Sequence, residues 1–332
     1  MLSPARRLCR ALAIAALLLA IAAVISLWAG EIRISLAELR SDPNIRALFF
    51  RLRLPRVVMA ALIGASLASV GTVLQALFRN PLAEPFTLGV SGGGALGAAV
   101  AIALGWGTRV SGVPLIFVTS FLGALSAVAL VYRMARSGAT VLPGALLLAG
   151  IVLNLIAGAG IIIMQYLVDP SRALQILRWT IGSLDTIGFD LIWRMLVFLV
   201  PCWFALLCYS RDLHLIAVDD ETAASLGVNV HRCERAIYAL SSVIVGVTVA
   251  VGGTIGFVGL IVPHAVRLVF GEDVRIVLPC SFVVGAAFLM LADAVARTAL
   301  GSGELPAGAV TALLGGPAFL WLLRRHQRYS SM

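Results

Sequence analysis

Val57–Phe78 reads VVMAALIGASLASVGTVLQALF, a run without one charged residue, and it ends at once in Arg79 and the turn NPLAEP (Asn80–Pro85). A helix rises about 1.5 Å per residue, so such a run crosses the roughly 30 Å hydrocarbon core of a bilayer. Similar runs fall near 11–29, 90–106, 113–132, 144–167, 189–209, 235–251, 257–270, 276–297 and 306–323. The chain as a whole is 61% hydrophobic and 12% charged over 332 residues. An ordinary soluble domain carries about 25% charged residues. In lipid the backbone must bond to itself, which makes helices the default. The expectation is an all-α membrane protein, one domain over 1–332, with about ten transmembrane helices, two of them short.

Charge gives the orientation. An even number of spans leaves both termini on one side, and Arg6, Arg7, Arg10, Arg324, Arg325 and Arg328 mark that side as cytoplasmic. The start of the chain imitates a secretory signal, but no A-x-A-like cleavage site follows, so it reads as a retained first helix. The net charge of +9 comes from scattered arginines, not a single stripe, and gives no sign of a nucleic-acid surface. No Lys occurs anywhere. A phosphate-binding loop of the G-x-x-x-x-G-K-[ST] type is therefore excluded, and any ATP is hydrolysed on another subunit.

One loop breaks the positive-inside rule. Arg33, Arg40, Arg46, Arg51, Arg53 and Arg56 all fall between the first two helices, outside by alternation. Either Glu31, Glu38 and Asp42 offset them, or the number of helices differs from ten, or they form a docking surface for an acidic extracytoplasmic partner through Arg–carboxylate pairs. Asp293 and Arg297, four apart at an external helix end, read as a self-satisfied pair that could join that surface.

Two Gly/Pro-interrupted stretches correspond. Asn80–Pro85 leads into Gly89–Gly94, and Gly252–Phe257 leads into Gly259 and Pro263. Broken segments in two halves point to inverted pseudo-repeats, here about 56–167 and 235–324, with a pathway at their interface. The longest polar interruption, about 211–231, is cytoplasmic. Its centre, Asp219-Asp220-Glu221-Thr222-Ala223-Ala224-Ser225-Leu226-Gly227, reads as a short helix with acids in the first turn, a glycine stop, and a small apolar patch of Ala223, Ala224 and Leu226.

Several motifs fail on context. Gly92-x-Gly94-x-x-Gly97 lacks the strand and the later acid of a dinucleotide site. Gly89-Val90-Ser91-Gly92-Gly93 matches G-x-S-x-G, which raises an intramembrane serine protease with His264 as base, yet His264 sits between Pro263 and Arg267 at a polar helix end. The five cysteines show neither C-x-x-C nor His pairing and read as buried apolar residues, so no metal site and no catalytic residue is expected. An ion-driven secondary transporter would need intramembrane carboxylates, and almost none lie away from helix ends.

Taken together, Arg53-Leu54-Pro55-Arg56, Gly64, Gly71, Gln75, Asn80–Pro85, Leu88–Ser91, Ala223–Gly227, Gly256–Leu260, Val262-Pro263-His264, Arg267, Asp293, Arg297, Glu304-Leu305-Pro306 and Gly315–Pro317 resemble the permease subunits of cobalamin, ferric-siderophore and haem ABC importers. The resemblance covers about residues 20–325. It implies a multi-pass homodimer in the bacterial inner membrane, resting on a dimer of ABC ATPase subunits that hold ATP and Mg, with no cofactor in this chain. It also implies a periplasmic substrate-binding protein docked on Arg53, Arg56 and Arg297. The coupling segment would comprise Asp219, Asp220, Glu221, Ala223, Leu226 and Gly227, and Asn80 and Leu82 would line the cytoplasmic gate. Gly-Gly-Pro stands where many relatives have Gly-Ala-Pro, and the Pro143-Gly144 pair departs from the family near its second gate.

Overall fold

The structure, a computed structural model, describes residues 4–30, 34–107, 109–110, 112–137, 140–141, 143–300 and 303–330. Each of the ten apolar runs falls on a helix. They are α1 (Pro4–Trp28), α4 (Leu54–Leu77), α5 (Val90–Ala103), α6 (Leu115–Ala135), α7 (Pro143–Leu167), α9 (Asp190–Cys208), α12 (Val230–Gly252), α13 (Val258–Phe270), α14 (Val274–Thr298) and α15 (Ala307–Ser330). Among the described residues, seven helical segments are long and apolar enough to cross a membrane; α5, α13 and the first part of α15 are shorter apolar helices. The polar stretches add α2 (Leu36–Ser41), α3 (Pro43–Leu48), α8 (Pro170–Ile181), α10 (Ser210–Val218) and α11 (Asp220–Ser225). Two-residue hairpins, Arg109–Val110 with Val113–Pro114 and Arg136–Ser137 with Thr140–Val141, close two of the turns.

The core gathers around α4, whose residues from Ile63 to Leu77 are all buried. Small residues let other backbones reach it, as expected where helices pack in lipid. A Cβ on Gly71 would lie 1.9 Å from Gly259 O, and one on Gly64 would lie 2.2 Å from Gly285 O. The contact with α13 carries a polar lock: Gln75 Nε2 donates to Gly259 O at 3.2 Å, and Arg267 Nη1 donates to Gln75 Oε1.

The short helices α5 and α13 each start from a left-handed residue, Gly89 (φ +78°) before α5 and Phe257 (φ +68°) before α13. The two Gly/Pro-interrupted stretches also meet in space. Glu84 accepts a hydrogen bond from the Phe257 backbone N–H, and Pro85 packs against Gly259.

The structure corrects the reading of the cysteines and adds to two others. Residues 168–188 contain a helix, α8, that the apolar pattern does not reveal; its Arg172 and Arg178 interrupt any hydrophobic run. The cysteines are free but not uniformly buried, since Cys9 and Cys208 are exposed and Cys202 is half-buried. The two described acids of the Arg-rich loop, Glu38 and Asp42, are engaged in helix caps. Glu38 completes a capping box with Ser35, and Asp42 caps Asn44 N at 2.8 Å, while Arg40, Arg46 and Arg51 stay exposed. Glu31 and Arg33 lie outside the described residues.

Candidate functional site

The first site is a cavity of about 420 Å³ where α14, the turn before α4 and the 182–189 connection converge, lined by Arg53, Arg56, Arg297, Asp185 and Glu304 among others. Beneath it Asp293, with no exposed surface, receives Arg56 Nη2 at 3.0 Å and Arg297 Nε at 2.9 Å. The pair at i,i+4 is therefore present, and Arg56, far away in sequence, makes it a triad. Arg297 also donates to Ala29 O at 2.7 Å and Ser26 O at 3.0 Å, and Arg53 to Leu27 O at 3.2 Å. These bonds tie α1 to the site. Arg53 and Arg297 are 7% and 6% exposed, so of the three predicted docking arginines two lie below the surface. Arg56 reaches the cavity, where it holds Glu304 Oε2 at 2.7 Å and Asp185 Oδ1 at 3.3 Å, both on exposed acids.

The second site is the α10–α11 corner. Asp219 caps α11, accepting from Thr222 N at 2.8 Å and Thr222 Oγ1 at 3.0 Å. Those bonds hold its carboxyl below the usual carboxylate range. Asp220 and Glu221 occupy the first turn, and Gly227 (φ +87°) follows the helix as the left-handed stop. The expected apolar patch divides. Ala223 is buried against the bundle, whereas Ala224 and Leu226 face outward with Val218. The reason is helical spacing, since adjacent positions are about 100° apart.

Asn80 and Leu82 form an Asx turn, Asn80 Oδ1 accepting from Leu82 N at 2.9 Å, and Leu82 is 43% exposed. This turn sits beside the α10–α11 corner, because Arg79 donates to Ile216 O and to Asp220. Sequence reasoning missed Arg79, although an arginine directly after a helix, where glycine is usual, is a visible signal.

A third feature is a cavity of about 480 Å³ whose lining includes Ser91, Gly92, Asn154, Gly158, Thr180, Thr254, Phe257 and Gly308. No charged residue lines it. Asn154 organises its wall: Nδ2 donates to Phe86 O at 2.9 Å, and Oδ1 accepts from Gly92 N at 3.0 Å and Ser91 Oγ at 3.4 Å. Ser91 thus helps hold the start of α5 to α7. A lone Asn inside an apolar run was the signal for this residue.

The sequence profile of the FecCD transport family matches residues 18–325. This chain belongs to that family. The hemin transport system permease protein of Yersinia pestis is 38% identical over 289 residues, 86% of this chain and 85% of that protein. The vitamin B12 import system permease protein of Shigella boydii is 38% identical over 311 residues, 94% of each. Among solved structures, a metal-chelate type ABC transporter in an inward-facing conformation superposes with a TM-score of 0.83 at 34% identity, covering 96% of this chain and 99% of that one. The FecCD-family chain is accordingly a multi-pass permease of the ABC importer class.

Proposed function

We propose that this FecCD-family chain is the membrane half of a binding-protein-dependent importer of an iron chelate, haem or cobalamin across the bacterial inner membrane. It spans about ten times with both termini cytoplasmic, and its two inverted halves, about 56–167 and 235–324, move against each other. Hydrolysis of ATP takes place on a partner ATPase dimer seated on the α10–α11 corner. The single observation that carries this reading is an Arg-lined cavity at the N-terminal end of α4 paired with a capped, outward-facing helix at its C-terminal end, in a chain whose relatives are hemin and vitamin B12 permeases. The pathway is half-built in one copy. Its uncharged cavity lies between α5, α7, α8 and α15, and a second copy of the chain would complete the wall.

The geometry refines docking. Arg53 and Arg297 shape and charge the cavity floor, and Arg56 is the arginine a partner carboxylate meets. In the free permease that position is filled by Glu304, an exposed acid on a flexible side chain, so docking exchanges one carboxylate for another. Titrating the cognate binding protein onto reconstituted permease tests this. Arg56→Glu should weaken binding by about tenfold or more, in the range of a buried charge-pair truncation. Glu304→Gln should tighten it by removing the internal competitor. Undiminished binding and transport in Arg56→Glu would defeat the docking assignment.

A further inference from the structure

The end of α4 carries an unusual residue. Phe78 N bonds to Leu74 O at 2.9 Å, Arg79 N to Ala76 O at 3.3 Å, and Asn80 N to Gln75 O at 3.1 Å. This is the Schellman pattern of a helix end, with its left-handed position at Arg79 (φ +48°). Glycine fits there freely; any side chain is strained. Arginine at such a place signals that its side chain is needed.

The guanidinium reaches the corner between α10 and α11. Nε and Nη2 donate to Ile216 O at 2.9 and 2.7 Å, and Nη2 also meets Asp220 Oδ1. Ile216 O belongs to the last turn of α10, whose carbonyls lack helical partners and carry the negative end of the dipole. Asp220 opens α11. One side chain therefore grips both helices of the corner, while its backbone continues directly into the Asn80–Leu82 turn. That turn is itself locked by Leu82 N to Asn80 Oδ1 at 2.9 Å and Ala83 N to Asn80 O at 3.1 Å. No flexible residue intervenes between the grip and the turn.

We propose that Arg79 is the positioning residue through which displacement of the α10–α11 corner is passed to the Asn80–Leu82 turn. This rests on the reading of the chain as an ATP-coupled permease. When the corner is pushed by an ATPase subunit, the Arg79 backbone follows, and the Asx turn moves with it as one body.

The test uses the complete importer, permease with its ATPase subunits and binding protein, in liposomes. Cargo uptake per ATP is measured with hemin, a ferric siderophore and cobalamin. In a cysteine-free background, spin labels at position 82 of both copies report the distance across the turn with and without ATP. Arg79→Gly relieves the backbone and should assemble and hydrolyse ATP, yet lose the ATP-driven distance change and at least tenfold of uptake per ATP. Arg79→Lys, able to satisfy one acceptor, should fall between. Asp220→Asn should lose less, and the double variant should be no worse than Arg79→Gly, since both act through one contact. An intact distance change in Arg79→Gly, or losses that simply add, overturns the proposal. A wild-type importer that takes up none of the three cargoes with ATP overturns the importer reading itself, and this proposal with it.

Discussion

Asp293 is a carboxylate with no solvent, shared by Arg56 and Arg297. Two guanidiniums and their further bonds replace the hydration it lost on burial. Removing it would leave the buried Arg297 without its carboxylate and beside Arg56, which would keep only Glu304 and Asp185. Asp293→Ala is expected to destabilise the permease by about 3–5 kcal/mol, the cost of breaking a buried ion pair by deleting one partner. Thermal unfolding in detergent would show it, and an unchanged midpoint would mean water reaches the site. The i,i+4 partner of Asp293 was legible in the sequence because helix geometry is local. Arg56 and Glu304, 237 and 248 residues from their partners Asp293 and Arg56, were not, because no local rule predicts which helix ends meet. For the same reason Arg53 and Arg297 were expected at the surface, and their burial under α1 could not be read from spacing.

Among elements, the ten apolar helices were legible because hydrophobic length is itself the membrane signal. The amphipathic α8 was hidden because its pattern resembles a loop at an interface. The short helix α11 was legible through its acids and its glycine, but its facing was not, since a six-residue helix has no periodicity to measure. Its cap makes a pH statement. The Asp219 carboxyl accepts the Thr222 N–H and hydroxyl, which depresses its pKa below the usual value of about 3.9. A depressed carboxylate stabilises the folded form above the ordinary value and ceases to do so only as pH falls through its lower, folded value. Protection of the Thr222 amide against hydrogen exchange should therefore be constant from neutrality to about pH 4 once the intrinsic rate is divided out. It should fall in more acid solution. Asp219→Ala should show the low protection, roughly fivefold faster exchange, at every pH. A protection factor that titrates near neutrality would place control elsewhere.

For the molecule as a conduit, the decisive property is that its cavity wall is small, neutral and loosely polar. A group that binds cargo strongly would slow its departure, and cargo of the class carried by hemin and vitamin B12 permeases is large. Transport through such a wall depends on free width, and Gly158 allows that to be tested without disturbing packing. It lies on α7 at the cavity, and a Cβ there would meet nothing within 4 Å. By contrast, a Cβ at Gly308 would lie 2.0 Å from Ile181 O, so substitution there confounds blockage with misfolding. Gly158→Trp should fold, since α7 gains a better helix former than glycine and the indole projects into open space. Binding-protein docking and ATP hydrolysis should persist, because neither the Arg56 cavity nor the α10–α11 corner is touched. Uptake should fall at least tenfold, while Gly158→Ala stays within about twofold of wild type. Normal uptake in Gly158→Trp would show that cargo takes another route, and loss of ATP hydrolysis would show that this cavity is part of the machinery that moves rather than the space it encloses.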